Sequence, residues 1–303
     1  MNSIAAVFTQ NILPILIVAA FGYALQRWSP LDKRALSSVV LNLFSPCLVF
    51  ASLVNNRLPG GELVSLTAFA LLTMTLMGAI GLGAARLFRF SRLDTVALVL
   101  VIMFVNGGNY GLTINQLRYG SDGLARAIVY YTASTFAVYT VGVLIASMGQ
   151  SSWREAVMRL FRLPAVYAAV AAIVVYSWNI PVPTPLMRGI ELAGAGAVPV
   201  MLVVLGMQLA DLQSRATFRL ALPAVSMRLL IGPLVGAAVA ALLGLQGLGK
   251  STSIVEASMP TAVITTVLAT EFDLQPTAVT SIVILSTLLS PLTVAATITM
   301  LGL

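Results

Sequence analysis

Two short runs interrupt otherwise apolar stretches of the chain: Asn106-Gly107-Gly108-Asn109-Tyr110-Gly111 and Ser258-Met259-Pro260-Thr261. Glycine adds backbone freedom and proline removes a hydrogen-bond donor, so each run can break a helix. A broken helix leaves free carbonyls where its first half ends and free N–H groups where its second half begins. The carbonyl end suits a cation or a donor. The N–H end carries the positive end of the helix dipole and suits an anion. Asn106 and Asn109 add amide donors and acceptors, and Tyr110 adds an aromatic edge. Two such breaks crossing at mid-depth make a compact polar site with little need for charged side chains.

Two ionisable residues fall inside apolar stretches: Arg228 within Leu220–Leu245, and Glu256 four residues before Pro260. A charge at membrane depth is a functional candidate and needs a partner, and these two lie on successive stretches. They read either as a static ion pair or as a counter-charge for an anion, released when Glu256 titrates. Asn42, Ser45 and Pro46 in one stretch, and Pro199 and Gln208 in another, are polar or helix-bending positions. They either line a cavity or bond a neighbouring helix.

Other chemistry is missing. The chain has no histidine and a single cysteine, Cys47, which excludes a histidine-based triad, a disulfide within the chain and a thiolate metal cluster. No catalytic residue, metal site or cofactor is expected. Gly244-Leu245-Gln246-Gly247-Leu248-Gly249-Lys250-Ser251 matches the phosphate-loop pattern letter for letter. That loop works only between a buried strand and a helix, and here a long apolar stretch precedes it. Neither nucleotide nor nucleic acid is expected as a partner.

The elements that carry these residues follow from composition. Of 303 residues, 59% are hydrophobic and 9% charged, with mean hydropathy +0.97. A soluble domain is about 25% charged, so a water-facing surface is out of reach. At ~20 apolar residues per span, the length allows roughly ten membrane helices, and ten apolar stretches are legible. The polar linker 148–162 divides them into five and five, as segments 1–147 and 163–303. With the N-terminus outside, the inner loops hold Arg27, Lys33, Arg34, Arg86, Arg89, Arg92, Arg154, Arg159, Arg162, Arg215 and Arg219. The outer loops hold Arg57, Arg118, Arg126, Arg188 and Lys250. This bias favours both termini outside. Five is odd, so the second half enters the membrane inverted. Proline marks the second span of each half, and a break marks the fourth. Paired breaks at matching positions of inverted repeats are the strongest sequence pointer to a transporter site.

Several short motifs, in order, resemble the auxin efflux carrier family, which includes bacterial permeases and plant PIN carriers. They are Leu41-Asn42-Leu43-Phe44-Ser45-Pro46, the run Asn106–Gly111, Arg228-Leu229, Ser258-Met259-Pro260-Thr261-Ala262 with Glu271-Phe272, and Ser286-Thr287-Leu288-Leu289-Ser290-Pro291-Leu292-Thr293. The resemblance covers nearly the whole chain. It implies an all-α membrane protein of ten helices in two inverted five-helix repeats, with broken, crossing fourth and ninth helices. It also implies a scaffold bundle, a mobile transport bundle, a homodimer, and a place in a bacterial inner membrane among lipid. The implied substrates are organic anions: indole carboxylates in plants, dicarboxylates such as malate or malonate for some bacterial relatives. Carried over, Asn106 matches the asparagine expected to contact a carboxylate, and Pro260 lies in the second crossover. Thr113 and Thr265 stand where plant relatives carry crossover prolines, so unwinding here falls to Gly107, Gly108 and Pro260.

The expected function is secondary active or facilitative transport of a small organic anion by alternating access. The expected substrate site is Asn106, Gly107, Gly108, Asn109, Tyr110, Met259, Pro260, Thr261 and Thr265, with Asn42, Ser45 and Pro46. Arg228 and Glu256 are the ion-pair or coupling candidates. The alternative is a sodium- or proton-coupled symporter resembling bile acid transporters. A membrane-embedded enzyme lacks any supporting motif, and a sensor lacks a signalling domain.

Overall fold

The computed structural model describes residues 8–55, 58–147, 164–210, 218–300 and Gly302. Every named element among them is a helix, joined by short connections. The linker 148–162 and its arginines lie outside the described residues.

The elements are α1 (Leu13–Trp28), α2 (Ala35–Asn55), α3 (Gly60–Leu87) and α4 (Arg92–Met103), then α5 (107–119) and α6 (121–146). They continue with α7 (Pro164–Ser177), α8 (Thr184–Ala195), α9 (Ala197–Ala210) and α10 (Leu220–Leu242). The last three are α11 (Gly247–Ala257), α12 (Ile264–Glu271) and α13 (Pro276–Met300). Among the described residues, six helical runs are long and apolar enough to cross a membrane: α2, α3, Gly107–Ala146, Thr184–Met207, α10 and α13. The sequence suggested ten. Part of the difference has a local cause, since the fourth and ninth stretches are each cut into pieces below spanning length; the first and sixth stretches adjoin residues outside those described.

Local chemistry sets the ends. Pro59 precedes α3, Glu62 stands in its first turn and Arg86 in its last, so both charges complement the helix dipole. Ser91 caps α4, its hydroxyl accepting from the Asp94 N–H at 3.1 Å, which satisfies one of the free donors of the first turn. The Gly107–Ala146 run bends at Gly120, whose φ of 67° breaks the helical geometry. Glycine reaches that left-handed backbone without a steric penalty, so α5 and α6 form a bent pair instead of one 40-residue rod.

The helices pack as two groups. In the first, α1 lies along α9, and α2 packs against α7 and α8. In the second, α3 packs on α4, on α10 and on the α5–α6 run; α11 packs on that run and on α10, and α10 packs on α13. Close approach of α1 and α9 depends on Gly206, where a Cβ would run into the Ala19 carbonyl. Gly206→Ala is therefore expected to push the helices apart and cost about 1–3 kcal/mol, the usual range for overpacking. Gly83→Ala, with no atom within 4 Å of the added carbon, should be neutral or stabilising. Thermal unfolding in detergent checks the pair: a melting temperature unchanged in Gly206→Ala would refute the close approach.

Candidate functional site

Both sequence breaks are breaks in the structure, and they meet. Helix α4 ends at Met103, and Phe104 is extended at φ −104°, ψ 127°. Helix α11 ends at Ala257, and helix resumes only at Ile264. The segments between run antiparallel, with Val105 opposite Thr261. The Asn106 N–H donates to the Pro260 carbonyl at 2.8 Å, and the Ala262 N–H donates to the Phe104 carbonyl at 3.0 Å. The Thr261 hydroxyl donates to the Val101 carbonyl at 2.9 Å, and its N–H donates to the Ser286 hydroxyl at 3.3 Å. Each break thus supplies partners for backbone groups the other has freed. At membrane depth such groups cannot turn to water, so non-helical backbone persists only where protein satisfies it.

Arg228 and Glu256 do not form the ion pair considered from sequence. Both are buried, 1% and 0% exposed, yet each faces a helix end. The Arg228 guanidinium donates through Nη1 to the Ile102 carbonyl at 2.7 Å and through Nη2 to the Ala257 carbonyl. Ile102 and Ala257 close α4 and α11, the half-helices that run into the breaks. Glu256 lies against the opposite kind of end. Its Oε1 accepts from the Asn115 amide at 3.0 Å, and its carboxyl lies against Gly107 and Gly111 in the first turns of α5. A Cβ at Gly107 would stand 2.7 Å from Glu256 Oε2, and one at Gly111 would fall on the carboxyl itself. Cation at carbonyl ends and acid at an N–H end is the arrangement the helix dipole favours.

A cavity of about 270 Å³ opens between the two helix groups, beside the crossing. One wall comes from Ser37 and Val40 of α2 with Met201 and Val204 of α9. The other holds Val105, Asn106, Gly108 and Asn109 from the first break, and Ala262, Val263, Ile264 and Val267 from the second. Helix α6 completes it with Tyr131, Ser134, Thr135, Val138 and Tyr139. Among the described residues, no lining side chain carries a charge. Asn106 is 6% exposed, and its side-chain Nδ2 has no hydrogen-bond partner. A buried amide donor left unpaired costs free energy, and this one belongs to a residue that lines a cavity.

The sequence-expected residues divide accordingly. Asn106, Gly108 and Asn109 line the cavity. Gly107 faces Glu256 instead. Tyr110 and Met259 are buried in the main apolar core, and Pro260 and Thr261 build the crossing. The Thr265 hydroxyl turns back to the Ala262 carbonyl at 2.7 Å. Asn42, Ser45 and Pro46 are not in the lining: the Asn42 amide donates to Ser38 of its own helix at 2.9 Å, Ser45 is buried and Pro46 half-buried. Ser37 and Val40, one to two turns earlier, occupy that place. Sequence reasoning missed the α6 face. Its signal was present, since Tyr131, Ser134, Thr135 and Val138 recur at helical spacing on one side of an apolar stretch. Asn115 was also missed: it lies beyond the glycine-rich break, beside Gln116, with nothing local to point it at Glu256.

Comparison with known proteins gives a consistent set. Residues 7–298 match the family model described as "Membrane transport protein". The chain is 32% identical over 288 residues to an uncharacterized transporter of Methanothermobacter thermautotrophicus, covering 93% of this chain and 94% of that protein. It is 22% identical over 294 residues to an uncharacterized transporter of Methanocaldococcus jannaschii, covering 94% and 96%. It is 30% identical over 178 residues to the probable auxin efflux carrier component 1d of Oryza sativa subsp. japonica, covering 58% of this chain and 30% of that protein.

Proposed function

We propose a function that starts from one fact: the chain belongs to the membrane transport protein family that contains the auxin efflux carriers, and it is a membrane transporter. Our reading is that it carries a small organic monoanion, of the indole-carboxylate kind, by alternating access. Ten spans in two inverted repeats would let the two helix groups rock about the cavity. The observation that carries this reading is the buried, unpartnered amide donor of Asn106, a residue that lines a cavity between those groups.

The charge balance supports a single carboxylate. The first turns of α5 and α12 reach the cavity through Gly108 and Asn109, and through Ile264. Each helix N-terminus carries about half a positive charge and that of α5 is shared with Glu256, so the two together match at most about one negative charge. The remaining walls are mostly apolar, with hydroxyls on α6. A second carboxylate there would meet valine and methionine with no cation among the described lining residues, and an unpaired charge in such surroundings is costly. The volume lies near the lower end of the ~300–1,000 Å³ usual for small-molecule pockets, which suits a compact solute.

Flux into proteoliposomes tests this directly. Indole-3-acetate should be carried with saturation, and malate and malonate at least about tenfold more slowly, the factor expected from ~1.4 kcal/mol of added desolvation. Absence of carboxylate flux, or equal flux of mono- and dianions, would sink the reading. The buried Glu256, whose Oε2 has no partner, favours a second one: coupling to protons or sodium. In that case flux should follow an imposed proton or sodium gradient, and Glu256→Gln should abolish the dependence.

A further inference from the structure

We infer that Arg228 is a positioning residue: one buried guanidinium caps the carbonyl ends of both broken helices and locks α4 and α11 into a single body. Its two bonds go to elements far apart in sequence, the Ile102 carbonyl at 2.7 Å and the Ala257 carbonyl. Each freed helix C-terminus carries about half a negative charge. Two of them sum to about one, which a single guanidinium offsets, and its rigid fork of donors can serve two acceptors at once. This accounts for a cation buried at membrane depth without a carboxylate partner.

The surrounding chain is shaped for this task. Arg228 sits in a π turn, Met227–Ile231, that opens α10 locally. Gly232 follows, where a Cβ would strike the guanidinium and stand 3.0 Å from the Ala257 carbonyl. Gly236, one turn on, would place a Cβ 2.7 Å from that of Ala257. The glycines therefore bring α10 close enough for the arginine to reach over. Arg228 is not among the cavity-lining residues, so it holds no solute. With both ends tied to α10, α4 and α11 cannot slide past each other without breaking a bond. Movement during transport then falls between the two helix groups, and the crossing travels intact.

The inference stands on these contacts and not on the identity of the solute. Hydrogen exchange on the full-length protein in detergent reads it at the Asn106 and Ala262 amides, the two that bridge the breaks. Arg228→Met should speed their exchange at least about tenfold while α1 and α9 stay unchanged, since exchange reports local opening. Arg228→Lys, keeping the charge but losing the fork, should fall between and covers the case in which the methionine variant does not fold. Gly232→Ala should mimic Arg228→Met in the wild-type background and add clearly less in the Arg228→Met background, where only the approach to the Ala257 carbonyl remains. In proteoliposomes with indole-3-acetate, Arg228→Lys should lower maximal flux with half-saturation within about threefold of wild type. Unchanged exchange at both amides in a folded variant, additive effects of the two substitutions, or a raised half-saturation at unchanged maximal flux would each overturn the inference. If the wild-type protein does not carry indole-3-acetate, the substrate reading fails and the exchange measurements alone decide the role of Arg228.

Discussion

Asn106→Ala should weaken carboxylate transport about 10- to 100-fold while leaving the protein folded and inserted. The estimate comes from the ~1.5–3 kcal/mol of a hydrogen bond to a charged group, at 1.4 kcal/mol per tenfold. Alanine keeps the backbone N–H that donates to Pro260 at 2.8 Å, so the crossing survives the change. What disappears is the side-chain Nδ2, a buried donor with no partner in the protein. Its loss should therefore register in the half-saturating concentration and not in stability. Asn106→Asp is the sharper variant, because it sets a carboxylate where the anion is to bind and should reduce flux further. Initial rates over a range of indole-3-acetate concentrations, beside a thermal melt of the same samples, give the answer. Wild-type half-saturation in a well-folded Asn106→Ala would remove this residue from the site.

Gly111→Ala carries the largest expected cost in stability. The new methyl falls on the Glu256 carboxyl. That group has little freedom to move, being fully buried and bonded to the Asn115 amide at 3.0 Å. Overpacking of this kind costs about 1–3 kcal/mol, and dislodging the carboxyl from its amide adds about 1.5–3 kcal/mol if the group is charged. A loss of about 3–5 kcal/mol would exceed half the stability of many domains, so poor yield or a strongly lowered melting temperature is the expected result. The cause can be isolated with Glu256→Ala, which removes the obstructing group. The double variant should be markedly less unstable than the sum of the two single losses. Simple additivity would mean that the methyl is felt elsewhere.

Parts of this molecule were legible in the sequence for a physical reason. Hydropathy over ~20 residues decides what can lie in a membrane, and it is a property of each segment by itself. Glycine and proline act on their own backbone, so the breaks at Asn106–Gly111 and at Pro260 could be located without knowing their neighbours. Asn106 was legible for the same reason, as a polar residue at the break where a helix restarts. The poverty of charge was legible too, because it is a matter of composition alone.

Other features depended on which surfaces meet. Arg228 and Glu256 looked like partners because both lie at membrane depth on successive stretches, but depth says nothing of direction. The π turn and Gly232 aim the arginine at Ile102 and Ala257, while Gly107 and Gly111 make room for the acid at the other end of the crossing. Asn42, Ser45 and Pro46 sit on a helix that does reach the cavity, but through Ser37 and Val40; the rotation of that helix is set by what it packs against. The contacts that build the crossing join Val101 to Thr261, Asn115 to Glu256 and Ile102 to Arg228, each separated by more than 120 residues. Sequence alone determined the apolar segments and the points where they break, because solvation and backbone strain are local. Only the tertiary structure decided which freed donor meets which acceptor, since each buried polar group takes its partner from whichever distant segment packing brings beside it.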